Sequence, residues 1–98
     1  MAASLTARQR AHLKARAHTL EPFVQVGQAG LTDAIVTETD RALTAHGLIK
    51  IRIGSADRDE RAEVVHALAE RTDATAVQTV GKITVLWRPR PDDKPLPA

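Results

Sequence analysis

The sequence of 98 residues contains no cysteine, which excludes disulfide bonds and thiolate metal sites. Tyrosine is absent too, and the aromatic residues are Phe23 and Trp87 alone, too few for a surface that stacks many bases on aromatic rings. No apolar run approaches the roughly 20 residues that a membrane span needs. The first residues lack the basic and apolar regions of a signal peptide, so we expect a cytoplasmic protein with no membrane partner.

The sequence also lacks the residue patterns of a catalytic or metal site. Its four histidines are His12, His18, His46 and His66. They lie far apart, without the spacing of metal ligands, and are predicted to be surface or boundary residues. No nucleophile, base and orienting residue form a recognisable set. We therefore expect no enzymatic activity and no cofactor.

Charge is distributed unevenly along the chain, although the net charge is only +2. Residues 1–20 carry four basic and no acidic residues, residues 21–76 carry six basic and ten acidic ones, and residues 77–98 carry four basic and two acidic ones. Both ends are therefore basic and the middle is acidic. This pattern indicates a localised cationic patch.

The periodicity predicts the element order α-β-α-β-α-β-β. Helices are predicted to start after Thr6, Thr32 and Asp57, and the strands to span 23–26, 48–53, 74–80 and 83–88. Parallel crossovers and a closing hairpin through Gly81 and Lys82 require a mixed four-stranded sheet. The fold class is therefore α/β, a two-layer sandwich with the crossover helices on one side. Residues 1–88 form one domain, and the proline-rich residues 89–98 are predicted to be a disordered tail.

The second strand alternates strictly between apolar and polar residues. Ile49, Ile51 and Ile53 fall on one face, while Lys50 and Arg52 project from the other together with Leu48. The pattern predicts a sheet with one buried face and one solvated, cationic face.

A Gly-x-x-Gly loop at residues 27–30 separates the first strand from the second helix. The two glycines are compatible with nothing more than a tight turn that has one glycine at positive φ. They also allow close approach to the backbone directly before a helix N-terminus, which suits a phosphate. The loop is neither a dinucleotide fingerprint nor a P-loop, because the further residues of those motifs are missing.

Four blocks of the sequence resemble the CRM domain, the chloroplast RNA splicing and ribosome maturation module. They are residues 5–22 (LTxxQRxxLKxxAHxLxP), 26–32 (VGxxGLT), 48–51 (LIKI) and 81–88 (GKxxVLWR). The chain resembles the stand-alone bacterial YhbY-like members of this family. The resemblance implies a fold similar to the C-terminal domain of translation initiation factor three. It also implies RNA binding in association with precursors of the large ribosomal subunit.

The resemblance places RNA contact at the loop residues Gly27, Gln28, Ala29 and Gly30. The basic residues predicted to contact phosphates are Arg8, Arg10, Lys14, Arg16, Lys50, Arg52, Lys82 and Arg88. Many family members have a basic residue inside the loop where this chain has Gln28 and Ala29, so the affinity is expected to come from the flanking cations. Such contacts position RNA without reading its sequence, so specificity is expected to come from RNA shape. The shortage of aromatic residues favours a structured rRNA element as partner, and the protein is expected to be a monomer.

Two alternatives stay open. The basic residues of the first helix also suit an ordinary solvated face. The acidic middle of the chain also suits a protein-interaction adaptor that binds a basic ribosomal protein or assembly factor.

Overall fold

The computed structural model describes residues 5–27 and 29–97. Within them the predicted order of elements is confirmed. The elements are α1 (Ala7–Ala17), β1 (Pro22–Val26), α2 (Asp33–His46), β2 (Leu48–Ile53), α3 (Arg58–Arg71), β3 (Thr75–Val80) and β4 (Ile83–Trp87). None of the helices in these two ranges is long and apolar enough to cross a bilayer.

The four strands form one mixed sheet in the order β1-β2-β4-β3. β1 pairs parallel to β2, and β4 pairs antiparallel to both β2 and β3. The β3–β4 hairpin closes through Gly81, whose φ of +58° suits glycine. β1 and β3 are consequently the two edges of the sheet.

Helices cover both faces of the sheet. The crossover helices α2 and α3 lie together on one face, as predicted, over Ile49, Ile51 and Ile53 of β2, each at most 2% exposed. Helix α1 lies on the opposite face, where Leu13 and Ala17 pack on Leu48, Val77, Val85 and Trp87.

Because α1 covers this second face in part, Leu48 is buried there instead of solvated. Lys50 is half-buried and Arg52 is exposed on the same face. The predicted cationic face therefore exists, restricted to the part of the sheet that α1 leaves open.

Local capping explains why the helices begin where they do. Thr6 accepts a hydrogen bond from the Gln9 N–H, and the Gln9 side chain accepts one from the Thr6 N–H, so the predicted capping box is confirmed. The Thr32 hydroxyl accepts a hydrogen bond from the Ile35 N–H and caps α2, and the Asp57 carboxylate accepts from the N–H groups of Asp59 and Glu60 and caps α3. Gly47 ends α2 with a φ of +74°.

The proline-rich segment that follows β4 contains no helix or strand in residues 89–97. Leu96 packs against the cluster under α1, and Arg90 donates a 2.6 Å hydrogen bond to the Ala45 carbonyl at the end of α2. Asp93 accepts hydrogen bonds from the Arg90 N–H and from its guanidinium. The disorder of this tail stays a prediction.

Candidate nucleic-acid interface

The glycine loop, residues 27–30, forms a tight turn on the surface. The Gly30 N–H donates a 3.0 Å hydrogen bond to the Gly27 carbonyl, and Gly30 has a φ of +78°. Gly27 and Ala29 are exposed, and a Cβ added to either glycine would meet no atom within 4 Å. The positive φ of this turn explains why residue 30 is a glycine. The empty space outside Gly27 allows another molecule to approach the backbone closely. Gln28 lies outside the described residues.

The N-terminus of α2 follows the loop directly. Its first turn carries Asp33, whose carboxylate interacts favourably with the positive end of the helix dipole. Asp33 also pairs with Arg71 of α3 at 3.0 Å. The positive helix end is therefore partly compensated already, so the loop offers open backbone more than net positive charge.

Two other chain segments meet the glycine loop at this end of the sheet. The Gly54 N–H donates to the Val26 carbonyl at 2.8 Å, and the Ile53 N–H donates to the Lys82 carbonyl at 2.8 Å. A Cβ on Gly54 would lie 3.2 Å from the Val26 carbonyl oxygen. These contacts bring the loop, the end of β2 and the hairpin turn with Lys82 together. No local pattern in the sequence indicates the close approach at Gly54.

A groove opens beside α1 on the cationic face of the sheet. We call it the α1 groove; its volume is about 330 Å³, and it is lined by Lys14, Ala17, His18, Lys50, Gln78, Val80, Ile83 and Val85. The Lys50 ammonium donates a 3.0 Å hydrogen bond to the Leu20 carbonyl, which holds its charge over the sheet.

The α1 groove extends towards the glycine loop. Val80 and Ile83 flank the hairpin turn that contacts β2, and Arg52 stands in register between Gln25 of β1 and Ile83 of β4. Lys14 and Lys50 line the groove, Arg52 lies further along the same face of β2, and Lys82 stands in the hairpin turn next to the end of β2. We call these four residues the cationic path. A row of cations beside open backbone suits a chain of phosphates.

The other basic residues of α1 are placed differently. Arg10 donates hydrogen bonds to the carbonyls of Ala76 and Val77 on the edge strand β3, so part of its guanidinium is already bonded within the protein. Arg16 points to the other side of the helix, where it lines a pocket with Leu20 and Phe23. Arg8 is exposed.

Arg88 is separated from this path. Its guanidinium bonds the side chain and carbonyl of Asp40, the Thr44 hydroxyl and the Thr72 carbonyl, and only 21% of its side chain is exposed. These partners belong to α2 and to the end of α3, on the other side of the sheet. We therefore leave Arg88 out of the candidate interface.

The described residues contain no group of three His, Asp or Glu side chains placed to hold a metal ion. All four histidines are exposed, as predicted.

Fold and site together define a small α/β domain with a mixed sheet, an open glycine loop and a cationic face. The CRS1 / YhbY (CRM) domain family matches residues 5–88, and the chain belongs to this family.

Similar proteins are found among both sequences and structures. A Haemophilus influenzae protein named RNA-binding protein is 40% identical over 91 residues, which cover 93% of this chain and 92% of that protein. The Bacillus subtilis protein named "Probable RNA-binding protein YqeI" is 32% identical over 92% of this chain and 94% of its own length. The solution structure of the Staphylococcus aureus protein SAV1595 matches with a TM-score of 0.83 at 29% identity, over 96% of this chain and 100% of that one.

Proposed function

We propose that this protein binds structured rRNA during assembly of the large ribosomal subunit, as a monomer in the cytoplasm. The observation that carries the proposal is the placement of Lys14, Lys50 and Arg52 on the face of the sheet beside α1, with Lys82 and the open glycine loop at the end of β2. Membership of the CRM family and the names of the relatives support RNA as the ligand.

The mechanism is positioning without catalysis. The cations contact successive phosphates, and the glycine loop lets the RNA backbone approach the main chain, because no side chain stands at Gly27. Since the loop lacks a basic residue, the path of cations supplies most of the affinity. Along this path, specificity comes from the shape of the RNA backbone, because phosphate contacts do not read base edges.

Salt dependence tests the binding mechanism. If the four cations each neutralise a phosphate, log K falls linearly with log salt concentration, with a slope of roughly −0.7 to −0.9 for each contact. We expect a slope near −3 for a structured rRNA fragment measured by fluorescence anisotropy. An affinity that does not change with salt would contradict phosphate binding by this path.

Sedimentation tests the biological role. We expect the protein in a cell lysate to migrate with precursors of the large subunit on a sucrose gradient, and to leave them after ribonuclease treatment. Migration with protein complexes that resist ribonuclease would favour the adaptor alternative, in which the acidic residues of α2 and α3 bind a basic protein.

A further inference from the structure

One of the two aromatic side chains stands largely in solvent. Phe23 is 54% exposed, whereas Trp87 is buried at 8%. Phe23 lies on β1, at the edge of the sheet, where the pairing with β2 is irregular between Pro22 and Val24. Its ring meets the ring of His46 edge-on, with the centroids 4.9 Å apart. This contact orients the phenyl ring and leaves more than half of the side chain free.

A pocket of about 350 Å³ opens beside the ring, and we call it the Phe23 pocket. Leu20, Leu48 and Ile49 supply apolar surface, while Arg16, Glu21 and His46 add polar groups. Its volume lies near the lower end of the range for small-ligand sites, about 300–1,000 Å³. An exposed ring beside an apolar surface with a few polar groups suits a flat, partly polar ligand.

Two arginines flank Phe23. Arg16 lines the Phe23 pocket, and its positive charge, after the hydrogen bonds from Arg90, also contributes to the lowered pKa of Asp93. Arg52 shares the neighbouring surface depression with Phe23 and Gln25. Since Arg52 also belongs to the cationic path described above, the Phe23 pocket continues the proposed RNA surface around the edge of the sheet.

We propose that the Phe23 pocket binds one unpaired nucleotide next to an RNA helix. The base stacks on the Phe23 ring, and Arg16 contacts its phosphate. Aromatic rings that stack unpaired bases are a common device of RNA recognition. This inference rests on the proposed RNA binding, and it makes the ligand a junction between a duplex and a single strand.

Glu21 adds a preference among bases. Glu21 lines the Phe23 pocket, and its carboxylate is a hydrogen-bond acceptor to which no side chain donates among residues 5–27 and 29–97. Cytosine offers an exocyclic amino group to such an acceptor, whereas uracil offers a carbonyl oxygen at the same position. We therefore expect an unpaired cytidine to bind better than an unpaired uridine.

The test compares two RNA probes that share one stem–loop. One has a blunt stem, and the other carries a single unpaired cytidine at the end of the stem. Wild-type protein should bind the second probe more tightly, by about tenfold or more, which corresponds to the stacking of one base. Replacing the cytidine by 2-aminopurine should give a fluorophore that is quenched on binding.

Substitutions at Phe23 separate stacking from general RNA affinity. Phe23→Leu keeps an apolar side chain and should abolish both the gain and the quenching, while its affinity for the blunt stem stays unchanged. Phe23→Tyr keeps an aromatic ring and should retain both. Glu21→Gln keeps the size of the side chain and should change the ratio of cytidine to uridine binding. Melting curves monitored by circular dichroism establish that each variant is folded.

The possible results distinguish this inference from the proposed function. If wild-type protein binds neither probe, the proposed function fails. If it binds both probes equally, with normal salt dependence, the proposed function stands and the Phe23 pocket is not a nucleotide site. The pocket is also excluded as a nucleotide site if Phe23→Leu weakens the binding of both probes equally. A protein partner bound over the pocket would exclude it as well.

Discussion

The guanidinium of Arg88 donates a 2.6 Å hydrogen bond to the carboxylate of Asp40, which joins the residue after β4 to α2. The same guanidinium donates to the carbonyl of Asp40, the hydroxyl of Thr44 and the carbonyl of Thr72. Four hydrogen bonds use most of the five N–H groups that an arginine side chain offers. Arg88 therefore connects the sheet to both crossover helices.

We predict that Arg88→Lys lowers the free energy of unfolding by about 2–4 kcal/mol, because lysine cannot reproduce a forked set of hydrogen bonds and leaves partly buried acceptors unpaired. Urea denaturation measures the loss. The slope of RNA affinity against salt should stay at the wild-type value. A reduced slope with normal stability would show that Arg88 contacts phosphate after all.

Arg52 and Arg58 allow the same loss of one positive charge to be compared at two different sites. Arg52 lies on the cationic path, whereas Arg58 opens α3 on the opposite side of the sheet. Arg52→Gln should reduce the salt slope of RNA binding by about one contact, and Arg58→Gln should leave it unchanged. Fluorescence anisotropy over a salt series measures both. Equal effects would mean that only the total charge of the protein matters.

Gly27 allows the proposed RNA contact of the loop to be tested without disturbing the fold. Because a Cβ at this position meets no atom within 4 Å, Gly27→Val should unfold at the same temperature as the wild type. The added side chain should nevertheless obstruct the approach of the RNA backbone and weaken binding about tenfold, the value of one main-chain hydrogen bond. Unchanged affinity would remove the loop from the interface.

Gly54→Ala, in contrast to Gly27→Val, should reduce the stability of the fold. Its Cβ would lie 3.2 Å from the Val26 carbonyl oxygen, which is backbone and cannot rotate away. We expect a loss of about 1–3 kcal/mol in unfolding free energy, as for other overpacked positions. Thermal denaturation measures it. A fully stable Gly54→Ala variant would contradict the close packing of β1 on the end of β2.

Asp93 should make the stability depend on pH at the acidic end. Its side-chain hydrogen bond from Arg90, and next the backbone hydrogen bond from Arg90, lower the pKa of this carboxyl below the ordinary value of 3.8. A depressed pKa in the folded state stabilises the protein above the unfolded value, and this contribution is lost as the pH falls through the folded pKa.

Asp93→Asn should accordingly lower the melting temperature at neutral pH. Its difference from the wild type should shrink once the pH is below the folded pKa of Asp93. A difference that is the same at every pH would point to packing of the tail instead of charge.

Features set by neighbours in the chain could be predicted from the sequence. The isoleucine alternation in β2, the Thr6 capping box and Gly47 at the end of α2 all act over a few residues, and each is confirmed. The loop between β1 and α2 was predicted for the same reason.

Features that depend on distant contacts could not be predicted. The partners of Arg88 lie 16 to 48 residues away, so its charge alone suggested a phosphate contact. Helix α1 buries few residues, and nothing local indicates which face of the sheet receives Leu13. The pocket beside Phe23 likewise exists only because α1, β1 and the end of α2 converge there.

The hydrogen bonds from Arg10 to the carbonyls of Ala76 and Val77 act on the outer strand β3. An outer strand normally presents unpaired acceptors that a second molecule can use to extend the sheet. Here a charged side chain occupies two consecutive acceptors, at the point where the pairing with β4 is irregular. Arg10 thereby leaves fewer free acceptors on β3 for a second strand to pair with, which disfavours edge-to-edge association of the domain.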